Sequence, residues 1–107
     1  VDMCFGVMGG QYQAAGHAHL LSNLSDFCMN PQEAVDAPRS FADPLTGLLQ
    51  VEDGLSETTC AGLEELGHKL VRPDTPIGGA QVIMMDADKG VLVGASDPRK
   101  DGCALGY

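Results

Sequence analysis

Short apolar runs separated by glycine and proline breakers dominate the chain, and they predict many short elements. Phe5-Gly6-Val7-Met8 reads as the end of a buried strand, and Gly9-Gly10 turns the chain out of it. His17, Leu20, Leu21, Leu24, Phe27 and Cys28 then recur with helical spacing and predict one apolar helix face. Asn23 and Asp26 fall on the opposite, solvent side of that helix. Asn30-Pro31-Gln32-Glu33 predicts a helix start: Asn30 as cap, Pro31 in the first turn, Glu33 closing a capping box. That helix covers residues 31–37 and stops at Pro38.

Residues 40–47 read as loop, and residues 48–52 as a short strand ended by Asp53-Gly54. Ser56 is a second N-cap, with Leu55 and Cys60 placed for a hydrophobic staple. Cys60, Leu63 and Leu66 form a narrow stripe, Glu57, Glu64 and Glu65 face outwards, and Gly67 closes the helix. Residues 69–72 predict a strand halted by Pro73. Residues 80–86 predict a buried strand that returns through an Asp86–Gly90 turn as a hairpin over 91–96. The order is mixed α/β (α+β), with antiparallel pairing at its end. It contains no internal repeat and no low-complexity segment.

The 107 residues suit one domain or part of one, and 44% hydrophobic residues supply a core without tryptophan. The formal charge is −9, with 15 acidic against 6 basic residues, which argues against a nucleic-acid surface and suits simple solubility. Cys4, Cys28, Cys60 and Cys103 lack any C-x-x-C or zinc spacing. Free thiols are the favoured reading and lean towards a reducing compartment such as the cytoplasm, with disulfides left open. No apolar run is long enough to cross a membrane, and no signal peptide is visible. The chain begins with Val1 beside an apparent strand, so a fragment or a processed chain is expected.

Few residues suggest chemistry. Strand, double glycine, helix is a geometry that can aim backbone N–H groups at an anion, although glycine pairs more often just make turns. His17 and His19 point to different helix faces and cannot share a metal; His17 suits a hydrogen-bonded core position. His68 follows Gly67 and could complement a helix C-terminus. Asp86 and Asp88 resemble the start of a calcium loop without its continuation, and read as a hairpin turn. Glu64 and Glu65 diverge on an exposed face, and Met84-Met85 reads as core filling. Arg39 and Arg99 each follow a proline beside acids; anion binding is the functional reading, and an Asp–Arg link pinning a loop the structural one. No Gly-x-Ser-x-Gly, Ser/His/Asp set, metal pattern or cofactor motif is present.

Five ordered motifs carry more. They are Phe5-Gly6-Val7-Met8-Gly9-Gly10, Asn30-Pro31-Gln32-Glu33-Ala34, Asp36-Ala37-Pro38-Arg39, Pro76-Ile77-Gly78-Gly79-Ala80-Gln81 and Gly94-Ala95-Ser96-Asp97-Pro98-Arg99. Together they resemble the C-terminal part of the γ-glutamyltransferase family, over nearly the whole chain. The resemblance implies that residues 1–107 are a segment of an N-terminal-nucleophile hydrolase with an αββα sandwich, incomplete in this chain. It implies a self-cleaving precursor whose small chain begins with a nucleophilic Thr upstream of this segment. That Thr attacks the γ-glutamyl amide of glutathione or a related compound, and the acyl-enzyme passes to water or an amino acid. Thr46, Thr58, Thr59 and Thr75 are internal and do not match it.

By the same resemblance, Gly9 and Gly10 become the backbone donors of an oxyanion hole. The implied partners are the large chain and the missing N-terminal part of the small chain, with a small amide as substrate. No metal or organic cofactor is implied. Glutathione-acting members tend to carry Ser-Pro before the glycines, where this chain has Val7-Met8. That departure points to an alternative within the family, a small-amide hydrolase or acylase of the oxamate-hydrolysing kind. A non-catalytic, truncated piece that only binds a partner chain is the rival of a different class. Family members occur in several compartments, so the compartment stays open.

Overall fold

The computed structural model describes all 107 residues, Val1–Tyr107. The chain divides into two compact units, one formed by Val1–Asp36 with Gly78–Tyr107, the other by Ala37–Ile77.

The first unit is built on an antiparallel sheet of β1 (Met3–Met8), β5 (Gly79–Asp86) and β6 (Val91–Ser96), in the order β1-β5-β6. Alternation along these strands divides the side chains between two faces. Phe5 lies opposite Val82, and Val82 opposite Ala95; Val7 lies opposite Ala80. This inner face is covered by α1 (Gln13–Ser25) and α2 (Pro31–Asp36). Val7, Leu20, Ala34, Val35, Ala80, Val82 and Ala95 are buried there. The fully buried Val35 and Val82 each contribute about 1.5–3 kcal/mol. The outer face carries Cys4, Met8, Ile83, Met85 and Leu92, and Leu92 is 67% exposed.

Local signals for this unit are met. Glu33 N–H donates to Asn30 Oδ1 at 2.9 Å, and Asn30 N–H to Glu33 Oε2 at 3.0 Å, closing the capping box. The β5–β6 turn is held by Asp86, whose Oδ1 accepts from Lys89 N–H at 3.0 Å and whose Oδ2 accepts from Lys89 Nζ at 2.7 Å.

Three expectations are corrected here. The buried face of α1 is Gly16, Leu20 and Asn23, so Asn23 is not on the solvent side. Its Nδ2 donates to Ala34 O of α2 at 3.4 Å. Phe27 and Cys28 leave the expected stripe because the helix ends at Ser25; Phe27 is 68% exposed and Cys28 has φ 52°. Strand β5 is buried on one face only, and neither methionine is fully buried: Met84 is half-buried, while Met85 and Ile83 are about half exposed.

The second unit holds a mixed sheet of β2 (Ser40–Ala42), β3 (Leu49–Val51) and β4 (Leu70–Val71), with α3 (Glu57–Glu65). β2 and β3 are antiparallel, and β3 and β4 parallel. Residues 40–47 are therefore not all loop: Ser40–Ala42 pairs with β3, a non-local contact that local breakers hide. Ser56 caps α3 by accepting from Thr59 N–H at 3.1 Å. Gly67, with φ 94°, ends it, and His68 N–H donates to Leu63 O at 3.1 Å. The expected α3 stripe is shallow: Cys60 and Leu63 are half-buried, and Leu66 is 80% exposed.

Candidate functional site

The glycine turn begins where β1 stops. Met8, the last strand residue, pairs with Gly79 at the start of β5. Gly9 has φ 143° and Gly10 φ 59°, both in the region where L side chains are disfavoured. Gly10–Tyr12 then forms one 3-10 turn that runs directly into α1. Tyr12 N–H donates to Gly9 O at 3.1 Å, and Gln13 N–H donates to Gly10 O. The two glycine carbonyls are thus committed to the following turn. The first N–H groups of a helical turn have no acceptor within it. Both glycines are exposed, and nothing lies within 4 Å of a Cβ built on Gly10. An exposed turn with free leading N–H groups is an arrangement that can hold an anion.

The support beneath the turn is a ring packed among glycines. Tyr12 is only 3% exposed. A Cβ on Gly78 would lie 2.8 Å from Tyr12 Cδ1, and one on Gly16 would lie 2.6 Å from Tyr12 Cε1 and from Val7 Cγ1. A Cβ on Gly9 would lie 3.0 Å from Gly78 Cα. Three glycines from three segments therefore let the Tyr12 ring sit directly under the turn and fix it against β1 and β5.

The sequence places Gly78 and Gly79 in one of the five family motifs but does not show that they pack under the turn. One signal was available: Gly16 sits inside a helix, where glycine costs about 1 kcal/mol against alanine, and that cost points to close packing.

The other candidates lie elsewhere. His17 is half-buried in α1, its Nδ1 2.6 Å from Gln13 O and its ring 5.5 Å from that of Phe5, which is a packing role. His68 is exposed, and its backbone N–H, not its ring, closes α3. Arg99 Nη1 donates to Asp97 Oδ1 at 3.2 Å and to Val35 O at 2.8 Å, a buried link that ties the segment after β6 to α2. Arg39, 5% exposed, donates from Nη1 to Ile77 O at 2.9 Å. Arg39 N–H and Ile77 N–H donate to the two oxygens of Glu52, at 2.9 and 3.0 Å. Arg99 makes the expected Asp–Arg link, whereas the contact that Arg39 makes to hold its loop is to a backbone carbonyl. The four cysteines are free. No group of three or more His, Cys, Asp or Glu residues is placed to hold a metal ion.

The family model described as gamma-glutamyltranspeptidase matches residues 1–107. The chain is 37% identical over 103 residues to the glutathione hydrolase proenzyme of Escherichia coli, covering 95% of this chain and 17% of that one. It is 32% identical over 112 residues to the oxamate amidohydrolase proenzyme of Klebsiella pneumoniae, covering 98% and 21%. Among solved structures it superposes on the cephalosporin acylase from Bacillus halodurans with a TM-score of 0.84 at 38% identity, covering 96% of this chain and 20% of that one. The chain thus spans about a fifth of the length of these three relatives.

Proposed function

The chain belongs to the gamma-glutamyltranspeptidase family, and from that premise we propose that it is the C-terminal segment of the small chain of an autoprocessed amide-cleaving enzyme. In this reading Gly9 and Gly10 donate their N–H groups to the oxyanion of a tetrahedral intermediate. An N-terminal Thr supplied by the rest of the precursor attacks the amide carbonyl, and the acyl group passes to water or an amino acid. The observation that carries the proposal is the exposed Gly9-Gly10 turn, whose carbonyls are committed forward and whose conformation excludes side chains. The remaining part of the small chain and the large chain are the proposed partners. They would cover the apolar outer face of the β1-β5-β6 sheet. The segment alone is expected to be inactive.

The proposed substrate is a γ-glutamyl amide such as glutathione. The side chain of Met8 favours a second reading, an acylase or a small-amide hydrolase acting on a substrate such as oxamate. Met8 is 46% exposed and immediately precedes the turn, so it offers an uncharged thioether to an acyl group.

A matched pair of variants in the complete enzyme tests the site. Gly10 and Gly90 have φ 59° and 64°, and both face open space. Valine strains both turns alike, but Gly90 lies in the β5–β6 turn, at the far end of β5, roughly 20 Å away. Gly10→Val is expected to lower kcat about 100–1,000-fold, as loss of one oxyanion donor does. Gly90→Val should keep its rate. Equal rates for the two mature proteins would remove the oxyanion assignment. Comparing turnover of a γ-glutamyl anilide with that of oxamate separates the two substrate readings.

A further inference from the structure

The segment after β6 folds back as a strap across the outer face of the first sheet. Its root is fixed by Asp97, which is fully buried. Asp97 Oδ2 accepts from Ala80 N–H at 2.8 Å, its Oδ1 from Arg99 N–H at 2.9 Å, and its carbonyl from Lys100 N–H at 3.1 Å. From there the strap makes three close approaches through glycines. A Cβ on Gly79 would lie 2.5 Å from Lys100 Cγ and 2.9 Å from Lys100 Cε. One on Gly102 would lie 2.9 Å from Ser96 Oγ and 3.1 Å from Gln81 Nε2, and one on Gly94 would lie 3.1 Å from Ala104 Cβ. Residues 100, 102 and 104 therefore step across β5 and β6 on the face that the helices leave open.

The first of these contacts lays the Lys100 stem on the residue paired with the one before the glycine turn. Gly79 is the register partner of Met8, the residue before Gly9. Its neighbour Gly78 is the residue a Gly9 Cβ would touch. The Lys100 stem lies on Gly79 because Gly79 has no side chain, and Lys100 as a whole is exposed. The ion pairs Arg72–Asp53, Lys89–Asp86 and Arg99–Asp97 leave Lys100 unused. In a chain with 15 acidic and 6 basic residues, the strap thus directs an uncommitted cation to this edge of the sheet.

We infer that Lys100 is a positioning residue for the glycine turn, one whose charge adds to the N–H groups in stabilising the developing anion. The inference rests on the oxyanion reading above. A unit charge on the order of 10 Å from a developing anion changes a rate by about tenfold at an effective dielectric of about 20.

The test uses the complete, matured enzyme with two probes, a γ-glutamyl anilide and oxamate, and reads kcat and KM separately. Lys100→Met keeps most of the stem and removes the charge; Lys100→Arg keeps the charge. Lys100→Met is expected to lower kcat about tenfold with little change in KM, and Lys100→Arg to stay within about threefold of wild type. The wild-type kcat should fall as salt rises from about 0.05 to about 0.5 M, and the Lys100→Met rate should not. A Lys100→Met enzyme at the wild-type rate overturns the inference. So does a Lys100→Arg enzyme as slow as Lys100→Met, or a wild-type kcat indifferent to salt, which needs no variant to fold. Equal rates for mature Gly10→Val and Gly90→Val enzymes overturn the parent reading, and this inference with it.

Discussion

Replacing Gly78 by alanine separates steric support of the glycine turn from mere backbone strain. Gly78 has φ 64°, and a Cβ there would lie 2.5 Å from Met8 O and 2.8 Å from Tyr12 Cδ1. Gly10 has nearly the same φ, 59°, but no atom within 4 Å of its built Cβ. The left-handed conformation costs an L residue about 1–2 kcal/mol, and that cost applies to both sites. Only Gly78→Ala adds overpacking, typically about 1–3 kcal/mol, because the contacted oxygen belongs to the backbone and the ring is buried under the turn. The sums are about 2–5 kcal/mol for Gly78→Ala and about 1–2 for Gly10→Ala. Against a native stability of about 5–15 kcal/mol the first is a large loss. Thermal and denaturant unfolding of the complete protein should therefore rank wild type above Gly10→Ala, and Gly10→Ala above Gly78→Ala. Equal midpoints for the two variants would refute the ring-and-glycine packing as the turn's support.

Two further outcomes follow from side-chain contacts. Asp97→Ala removes the acceptor for Ala80 N–H and for Arg99, whose side chain is 11% exposed, and stranding a buried charge in this way costs about 3–5 kcal/mol, so the unfolding midpoint should drop sharply. Asp97→Asn, which keeps an acceptor, should lose less. At the β5–β6 turn, the hydrogen bond from the Lys89 side chain, followed by that from its backbone N–H, holds the Asp86 carboxyl below the usual carboxylate range. Its contribution is therefore complete above the unfolded pKa and lost as pH falls through the depressed folded value. A carboxyl NMR titration should place Asp86 below ordinary aspartates and move it upward in Lys89→Ala; an unmoved titration would contradict that cause.

What the sequence made legible was local. The Asn30–Glu33 box, the Ser56 cap, the Gly67 stop and the Asp86–Gly90 turn each depend on residues within a few positions of one another, and each forms as read. The errors arose where a distant partner decides. Ser40–Ala42 is a strand because Leu49–Val51 pairs with it, against a local run of breakers. Asn23 turns inwards because Ala34 O of α2 offers an acceptor, which helical periodicity cannot reveal. Strand β5 looked buried throughout because Ile83 and Met85 are apolar, yet both lie on the outer face.

The glycine turn combines both kinds of information. Its left-handed conformation was legible from Gly9-Gly10 alone. Its packing was not, because the register of Met8 with Gly79 brings a second glycine pair, Gly78-Gly79, against the first. One member of that second pair admits the Tyr12 ring and the other admits the Lys100 stem. In the proposed oxyanion role the turn acts through backbone N–H groups and has no side chain of its own to vary. Its packing rests on Gly16 and Gly78 against Tyr12 and, in the inference above, its local field on the Lys100 stem that Gly79 admits, so a change at any of these should alter the turn while Gly9-Gly10 stays intact in the sequence.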